Sequence, residues 1–400
     1  MNNLKKTRIL FVDDEPMILK MLQLSLRSMA KEWEMSFVES GEAALELLNQ
    51  KPFDVVVSDM RMPGMSGAEL LNTVMKKQPQ TVRIILSGYA DEEMVLQCVG
   101  ASHQFLCKPF DPKVLKSCLQ RIATLHQQMD NPDLVRMASS MQYLPSIPSI
   151  YFQIMEALQS SNASIQLISE IVSRDAGLTA KLLQLVNSAF FGVAVGVSSA
   201  EEAVQLLGVG RIRSLALFAH VFASFDEVEM PQEMLNEIWN HSMATGMAAR
   251  QICEQEESAV VVREQGFTAG LLHDVGKLIF LANKPSEYLK VQQQTLAGKK
   301  PLVQVEQEVF GVNHAHVGAY LLGIWGLPAP LVEAVAWHHT PQLSGSREFN
   351  ALTAVHAADV LVRSCEGAHD DLPMDLDAAY LGQMGYADHV PAWRDRLANC

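Results

Sequence analysis

The stretch Asp54-Val-Val-Val-Ser-Asp59-Met-Arg-Met-Pro-Gly64 decides the fold of the first third of the chain. Val55, Val56 and Val57 form a β-branched run long enough for a strand and too short for a helix. An apolar run without alternation reads as a strand covered on both faces, as in a parallel sheet. Pro63 and Gly64 end it. Asp59 therefore stands at the carboxyl end of a central strand, where open α/β sheets gather their ligands.

Three more runs belong to the same sheet. Arg8-Ile-Leu-Phe-Val12 ends in Asp13-Asp14-Glu15, Arg83-Ile-Ile-Leu-Ser87 ends in a hydroxyl, and Gln104-Phe-Leu-Cys-Lys108 ends in a lysine before Pro109. Between and after them come helical spacings. Ile18, Leu22, Leu26 and Met29 share one face; Gly41 to Leu48 and Gly67 to Met75 supply further helices; Leu115, Cys118, Leu119 and Ile122 repeat at helical intervals. Alternating elements of this length predict a doubly wound parallel sheet. Asp13, Asp14 and Asp59 would repel one another unless a hard cation such as Mg2+ sat among them. A phosphoryl group on Asp59 would then be surrounded by Mg2+, Ser87 and Lys108, the charges that phosphoryl transfer needs.

At these residues the sequence resembles the receiver domain of two-component response regulators, over residues 1–125. The resemblance implies a flavodoxin-like fold, Asp59 as phosphoacceptor and a sensor histidine kinase as its phosphodonor. It implies an Mg2+ pocket of Asp13, Asp14, Asp59 and the Arg61 backbone carbonyl, with Ser87 and Lys108 sensing the phosphoryl group. Phe105 holds the switch position, three residues before Lys108, where the family often has tyrosine. A phenyl ring can move between exposed and buried positions but has no hydroxyl to bond with. Arg61 and Tyr89, each two residues past a pocket residue, are expected to border the phosphorus and slow hydrolysis by obstructing the in-line path of water.

Four hundred residues suggest two or three domains, and an apolar share of 48% is ample for packed cores. The formal charge of −14 argues against non-specific binding to DNA through a basic surface. No apolar stretch is long enough to span a bilayer, and the N-terminus lacks a signal-peptide core. The six cysteines are scattered without a Cys-x-x-Cys pair, so they read as reduced thiols of a cytoplasmic protein.

Residues 126–143 read as a partly helical linker, polar from Gln127 to Asp133 and then spaced by Leu134, Met137 and Met141. Those apolar residues have two outlets, a homodimer seam or packing within their own chain. Residues 144–390 read as helix almost throughout, an all-α second domain.

Ten of the twelve histidines fall at or after His220. His273-Asp274 lies in an apolar helical stretch, Gly270 to Leu281, with Lys277 one turn on. A buried His-Asp pair must be met by hydrogen bonds or a metal. His241, His314, His338-His339 and Asp359 stand on other segments, and imidazoles and carboxylates gathered from several helices are the raw material of a metal site. Singly, His338 and His339 also suit a helix C-terminus, and His220, His316 and His356 read as ordinary, partly buried histidines.

Here the sequence resembles the HD superfamily, specifically its HDOD branch. Leu144-Pro-Ser-Ile-Pro148, Arg174-Asp-Ala-Gly-Leu-Thr-Ala180, Val186-Asn-Ser-Ala-Phe-Phe-Gly192, Leu206-Leu-Gly208, the His273-Asp274 stretch, and His314 through Trp325-Gly-Leu-Pro328 carry it. The resemblance places metal-ligand roles on His241, His273, Asp274, His314, His338, His339 and Asp359, with Fe, Mn or Zn as the implied ion. Lys277 falls on the lysine of the HD-x-x-K pattern. The Gly-Tyr-Pro signature of cyclic-di-GMP phosphodiesterases is replaced by Thr340-Pro-Gln-Leu-Ser-Gly-Ser346. The resemblance therefore implies a response regulator whose output acts on a protein partner, with a metal-dependent phosphohydrolase as the alternative.

Overall fold

The computed structural model describes residues 6–88, 101–128, 132–141, 153–154, 157, 164–187, 196–217, 232–298, 300–366 and 376–398. The first part is a five-stranded sheet in the order β2-β1-β3-β4-β5, every pair parallel. Its strands are β1 (Thr7–Val12), β2 (Trp33–Val38), β3 (Val55–Asp59), β4 (Val82–Gly88) and β5 (Gln104–Lys108). All five residues of β3 are buried, as the valine run demands. Burying each of those valines contributes about 1.5–3 kcal/mol. Strand β2 carries no apolar run of the kind that marks the other four. It lies at the sheet edge, only Trp33 is fully buried, and Glu34 and Ser36 interrupt the apolar run that a central strand would need.

Among the described residues four helices flank the sheet: α1 (Pro16–Ser25), α2 (Gly41–Gln50), α3 (Gly67–Lys77) and α4 (Pro112–Gln128). Pro16 opens α1, where a missing N–H costs nothing. The face predicted from Ile18 to Met29 is divided, because α1 stops at Ser25 and residues 27–29 make a 3-10 turn. Leu22, Leu26 and Met29 are buried all the same. Ser66 and Glu69 form a reciprocal cap on α3. Gly67 has to be glycine there, since a Cβ would stand 2.0 Å from the Asp59 carbonyl oxygen. The start of α3 thus abuts the end of β3 and fixes where Asp59 emerges.

Beyond the sheet the described residues are helical. They form α5 (Pro132–Ser140), α6 (Ile165–Val172), α7 (Ala176–Val186), α8 (Ala200–Leu217), α9 (Gln232–Gln255), α10 (Val260–Leu272), α11 (Val275–Asn283), α12 (Pro285–Gly298), α13 (Leu302–Phe310), α14 (His314–Ile324), α15 (Ala329–Trp337), α16 (Ala351–Glu366), α17 (Ala378–Met384) and α18 (Val390–Ala398). Helix α8 breaks at Gly208, whose φ of 72° belongs to the left-handed side. The segments 144–148 and 188–192 of the HDOD-like motifs, Tyr89 and His220 lie outside the described residues.

One expectation changes and one open choice is filled in. His273 and Asp274 do not sit inside one helix: α10 ends at Leu272, α11 starts at Val275, and the pair forms the turn between them. Leu134, Met137 and Met141 are buried within the chain, where α5 packs on α14 and α11. Of the two outlets weighed for that face, packing at home is the one seen.

The two parts meet through buried polar contacts. Arg83, 1% exposed, donates to the carbonyls of Ala101 (2.5 Å), Thr81 (2.9 Å) and Pro79 (3.1 Å), and across to Ser139 at the end of α5 (3.1 Å). A helix C-terminus carries the negative end of the dipole and suits that cation. Burial pulls the Arg83 guanidinium down to about 9. His103 accepts from the Arg83 N–H at Nδ1 (2.9 Å) and meets the Ser139 carbonyl at Nε2 (2.9 Å), which assigns the proton to Nε2. The far end of α14 completes the contact. Tyr320 Oη lies 2.8 Å from His126 Nε2, and Gln104 Nε2 donates to the Ile324 carbonyl (2.8 Å). Gln184 of α7 donates to the His103 carbonyl (3.0 Å).

Candidate functional site

Two charged clusters stand out, one at the sheet edge and one inside the helical part. The first occupies the carboxyl ends of β1, β3 and β5, at the point where the strand order reverses between β1 and β3. Asp13, 1% exposed, accepts from the Glu15 N–H (3.0 Å) and from Lys108 Nζ (2.7 Å). Lys108 also pairs with Asp59, whose other oxygen accepts the Arg61 N–H at 2.8 Å. Asp14 follows Asp13 at the same strand end, half-buried. Burial pushes the Asp59 carboxyl up, Lys108 opposes that, and Asp13 adds to it. Burial disfavours charge on Lys108, but its bonds to Asp13 and Asp59 outweigh this and raise it. Two carboxylates thus crowd one ammonium.

Ser87, the last residue but one of β4, pairs with Cys107, next to Lys108 of this group. Its hydroxyl is buried and makes no hydrogen bond among the described residues. Phe105 is in its buried position, 1% exposed, in register with Ile85.

The second cluster draws on five places in the chain. His241 lies within α9, His273 and Asp274 at the α10–α11 turn, His314 at the first position of α14, His338 and His339 at the end of α15, and Asp359 in α16. The structure brings all seven together. His241 Nε2 is 2.9 Å from Asp359 Oδ1, and His273 Nε2 is 3.3 Å from Asp274 and 3.6 Å from Asp359. His314 Nε2 is 3.2 Å from Asp274 and 2.9 Å from His339 Nε2. Three overlapping groups, His314/His338/His339, His241/His273/Asp359 and His273/Asp274/His338, each hold their ligand atoms within 4.8 Å of one another.

Local chemistry aims these rings. Gly311 ends α13 in the left-handed conformation, φ 75°, and Asn313 caps α14 by accepting from the His316 N–H. That turn delivers His314 to the cluster. Gly276 lets α11 approach α14, since a Cβ there would meet the His314 carbonyl oxygen at 1.9 Å. His273 Nδ1 bonds the Gly270 carbonyl (2.7 Å), His338 Nδ1 the Val335 carbonyl (2.8 Å), and His314 Nδ1 the Glu306 carboxylate (2.7 Å). With Nδ1 carrying the proton, each ring turns an Nε2 lone pair inward. Nε2 of His273 and of His338 make no hydrogen bond among the described residues, though both rings are 1% exposed or less. Buried, bare imidazole nitrogens facing two carboxylates are what a metal ion satisfies. The donor set fits one.

Sequence reasoning missed three partners. Glu306, fully buried, takes the His314 N–H (2.9 Å) and the Tyr288 hydroxyl (3.2 Å) in addition to the ring. Nothing in Glu306-Gln-Glu308 marks one acid as the buried one. Arg363 donates to Asp359 at 2.8 Å, an i,i+4 pair legible once Asp359 is granted. His356, read as ordinary and partly buried, is 2% exposed and holds the His338 carbonyl at 2.8 Å. His316 fits that reading: it is half-buried, edge-on to Trp337.

Charge explains the remaining tension. Among these residues Asp274, Asp359 and Glu306 face Lys277, 2.8 Å from Asp274, and Arg363. One negative charge remains to be met. Burial disfavours charge on His273, but Asp274 and Asp359 override it and push the ring up to about 9. Burial and the neighbouring rings hold His338 and His339 well below the ordinary imidazole value. Burial would raise Asp274 and Asp359, yet His273 and Lys277 for the one, and Arg363 and His241 for the other, keep both well below the usual carboxylate range. A protonated His273 and a bound cation are two ways of supplying the same positive charge.

With this geometry in hand, comparison with known proteins gives two families. Residues 9–120 match the response regulator receiver domain, and residues 144–341 match the HDOD domain. Asp359 and Arg363 lie past the end of that second match. The chain is 24% identical over 235 residues to an uncharacterized protein of Treponema pallidum (strain Nichols), covering 58% of this chain and 45% of that protein. It is 38% identical over 79 residues to a cyclic di-GMP phosphodiesterase of Thermotoga maritima, covering 20% of this chain and 21% of that protein. The MmoQ response regulator of Methylococcus capsulatus str. Bath aligns with a TM-score of 0.48 at 24% identity, covering 64% of this chain and 97% of that chain. The chain spans less than half the length of the curated relatives it matches.

Proposed function

The chain is a response regulator in which a receiver domain is followed by an HDOD output domain, and from that premise we propose how the two sites work. A sensor histidine kinase phosphorylates Asp59, with Mg2+ held by Asp13, Asp14, Asp59 and the Arg61 carbonyl. The observation that carries this reading is the Ser87 hydroxyl, buried and without a hydrogen bond among the described residues, beside an Asp59 that pairs with Lys108. A phosphoryl oxygen would accept from Ser87 and take over Lys108, satisfying both. Incubation with Mg2+ and acetyl phosphate should add one phosphate to the intact mass of the parent and none to Asp59→Asn. Uptake by Asp59→Asn equal to the parent refutes the assignment.

The output domain holds a metal ion, Fe, Mn or Zn, through the histidine–aspartate cluster, and acts by binding a protein partner in a manner set by the receiver. Helix α14 supports that coupling, because His314 stands at its start, Tyr320 further along bonds His126 of the linker, and Ile324 at its end takes Gln104 of the receiver. Elemental analysis of purified protein, and the shift in thermal unfolding on adding chelator, test the metal. No loadable metal together with an unchanged unfolding temperature removes it. The complete ligand set favours a second reading, metal-dependent phosphohydrolysis, in which Lys277 would help to hold the phosphate. Turnover of a cyclic dinucleotide by metal-loaded protein would decide for it.

No helix among the described residues is long and apolar enough to cross a membrane.

A further inference from the structure

A cavity of about 600 Å³ lies where the receiver, the linker helix and the output domain meet. That volume falls within the usual span of small-molecule sites. Leu125 of α4 and Leu134 of α5 form one side, and Ala319 of α14 and Val332 of α15 the other. The Trp337 indole adds a flat aromatic stretch of wall, with the His316 ring nearly perpendicular to it at 5.4 Å between centroids.

The charge in this apolar space is an acid. Glu333 lies on α15 one turn from Ala329, Ala336 and Trp337, all of which line the cavity, so the helix turns Glu333 the same way. It forms no ion pair among the described residues. Burial alone raises its carboxyl, with no neighbouring cation to hold it down. Arg121 borders the cavity too, but its guanidinium turns to a smaller cleft next door. There one Nη lies 3.5 Å from Gln104 Oε1, and a Cβ on Gly326 would stand 3.6 Å from it. The Arg121 Nε is closed off from solvent. His316, the other titratable group of the wall, is held toward its neutral form by burial and by His314. A half-buried carboxylate without a cation is best met by an ammonium, and an aromatic ring beside it adds to that preference.

We propose that this interdomain cavity binds an organic ammonium with an apolar, ring-sized body, its charge seated on the Glu333 carboxylate. The walls come from both domains, so the ligand has its full site only when they are docked. Binding therefore stabilises the docked arrangement and gives the position of the two domains a chemical input of its own.

Calorimetric titration of the full chain at neutral pH tests the idea, with 1-naphthylmethylamine as the ammonium and uncharged 1-naphthylmethanol as its matched control. The parent should bind the ammonium about tenfold more tightly than the alcohol, the worth of one charge-assisted contact, and 1-naphthoate more weakly than either. Glu333→Gln should erase the preference for the ammonium while the alcohol binds as before. Glu333→Arg, at the same half-buried position, should reverse the order and favour naphthoate. Absence of ammonium binding to the parent at millimolar concentration overturns the proposal. So does equal binding of the amine and the alcohol by the parent, or a preference for the ammonium that survives either substitution.

Discussion

The acid pocket of the receiver and the histidine cluster of the output domain both crowd carboxylates together, and they resolve the crowding in opposite ways. In the pocket, Asp13 and Asp59 share a single lysine and the Ser87 hydroxyl is left over. In the cluster, Asp274 and Asp359 each have a cation of their own, and further imidazoles converge on both. The pocket is under-neutralised at the sheet edge. The cluster is nearly neutral and sealed, with His273 fully buried. Unmet charge near the surface suits a site that would accept a group from another protein; a closed, nearly neutral cluster suits one that would hold an ion.

Replacing the same residue type in each place gives the widest separation. Asp274→Asn leaves Lys277 and His273 buried without their countercharge, which should cost about 3–5 kcal/mol in urea unfolding. Asp59→Asn relieves a carboxyl that burial already pushes up, so it should change stability by less than about 1 kcal/mol, on the stabilising side. Equal losses at both positions would break the contrast.

Backbone approach offers a second, smaller comparison. Gly276→Ala sets a methyl 1.9 Å from the His314 carbonyl oxygen, so α11 and α14 must part. The expected cost is about 1–3 kcal/mol, with reduced metal content by elemental analysis. Phosphate uptake at Asp59 should be unchanged, and a fall in both readouts together would show that the sites are not separable this way.

The least of the three effects belongs to the contact between domains. Burial and the adjacent Arg83 hold His103 well below the ordinary imidazole value, so in the folded chain the ring is neutral. Unfolded, it takes up a proton near pH 6.5. Below that pH the unfolded chain binds more protons, and stability falls by at most about 1.4 kcal/mol per pH unit for this group. His103→Gln should flatten the acid limb of the stability profile by up to that amount. An unchanged limb would mean that the ring is already charged in the fold.

The same contrast explains what could be read from sequence. The pocket residues end strands, and each strand announces itself by an apolar run with its chemistry one or two residues beyond. Their convergence follows from parallel topology alone. The cluster residues follow no such rule. His241 and Asp359 are 118 positions apart, and only the way α9, α10, α15 and α16 pack makes them neighbours. Family resemblance supplied that list, and it could not supply Glu306, whose role depends on a buried hydrogen bond rather than a motif. The His273-Asp274 turn was hidden for a related reason. Its flanks are apolar throughout, and periodicity alone does not reveal a two-residue break in a wholly buried segment.

Helix α14 spans about 15 Å from the ring of His314 to the carbonyl that Gln104 holds. A connection of that kind has no preferred direction. If phosphorylating the receiver alters the affinity of the cluster for its metal by some factor, loading the metal must alter the phosphorylation equilibrium by the same factor. The metal status of the cell would then be written back onto Asp59, and a kinase assay on apo and loaded protein would read as a metal sensor.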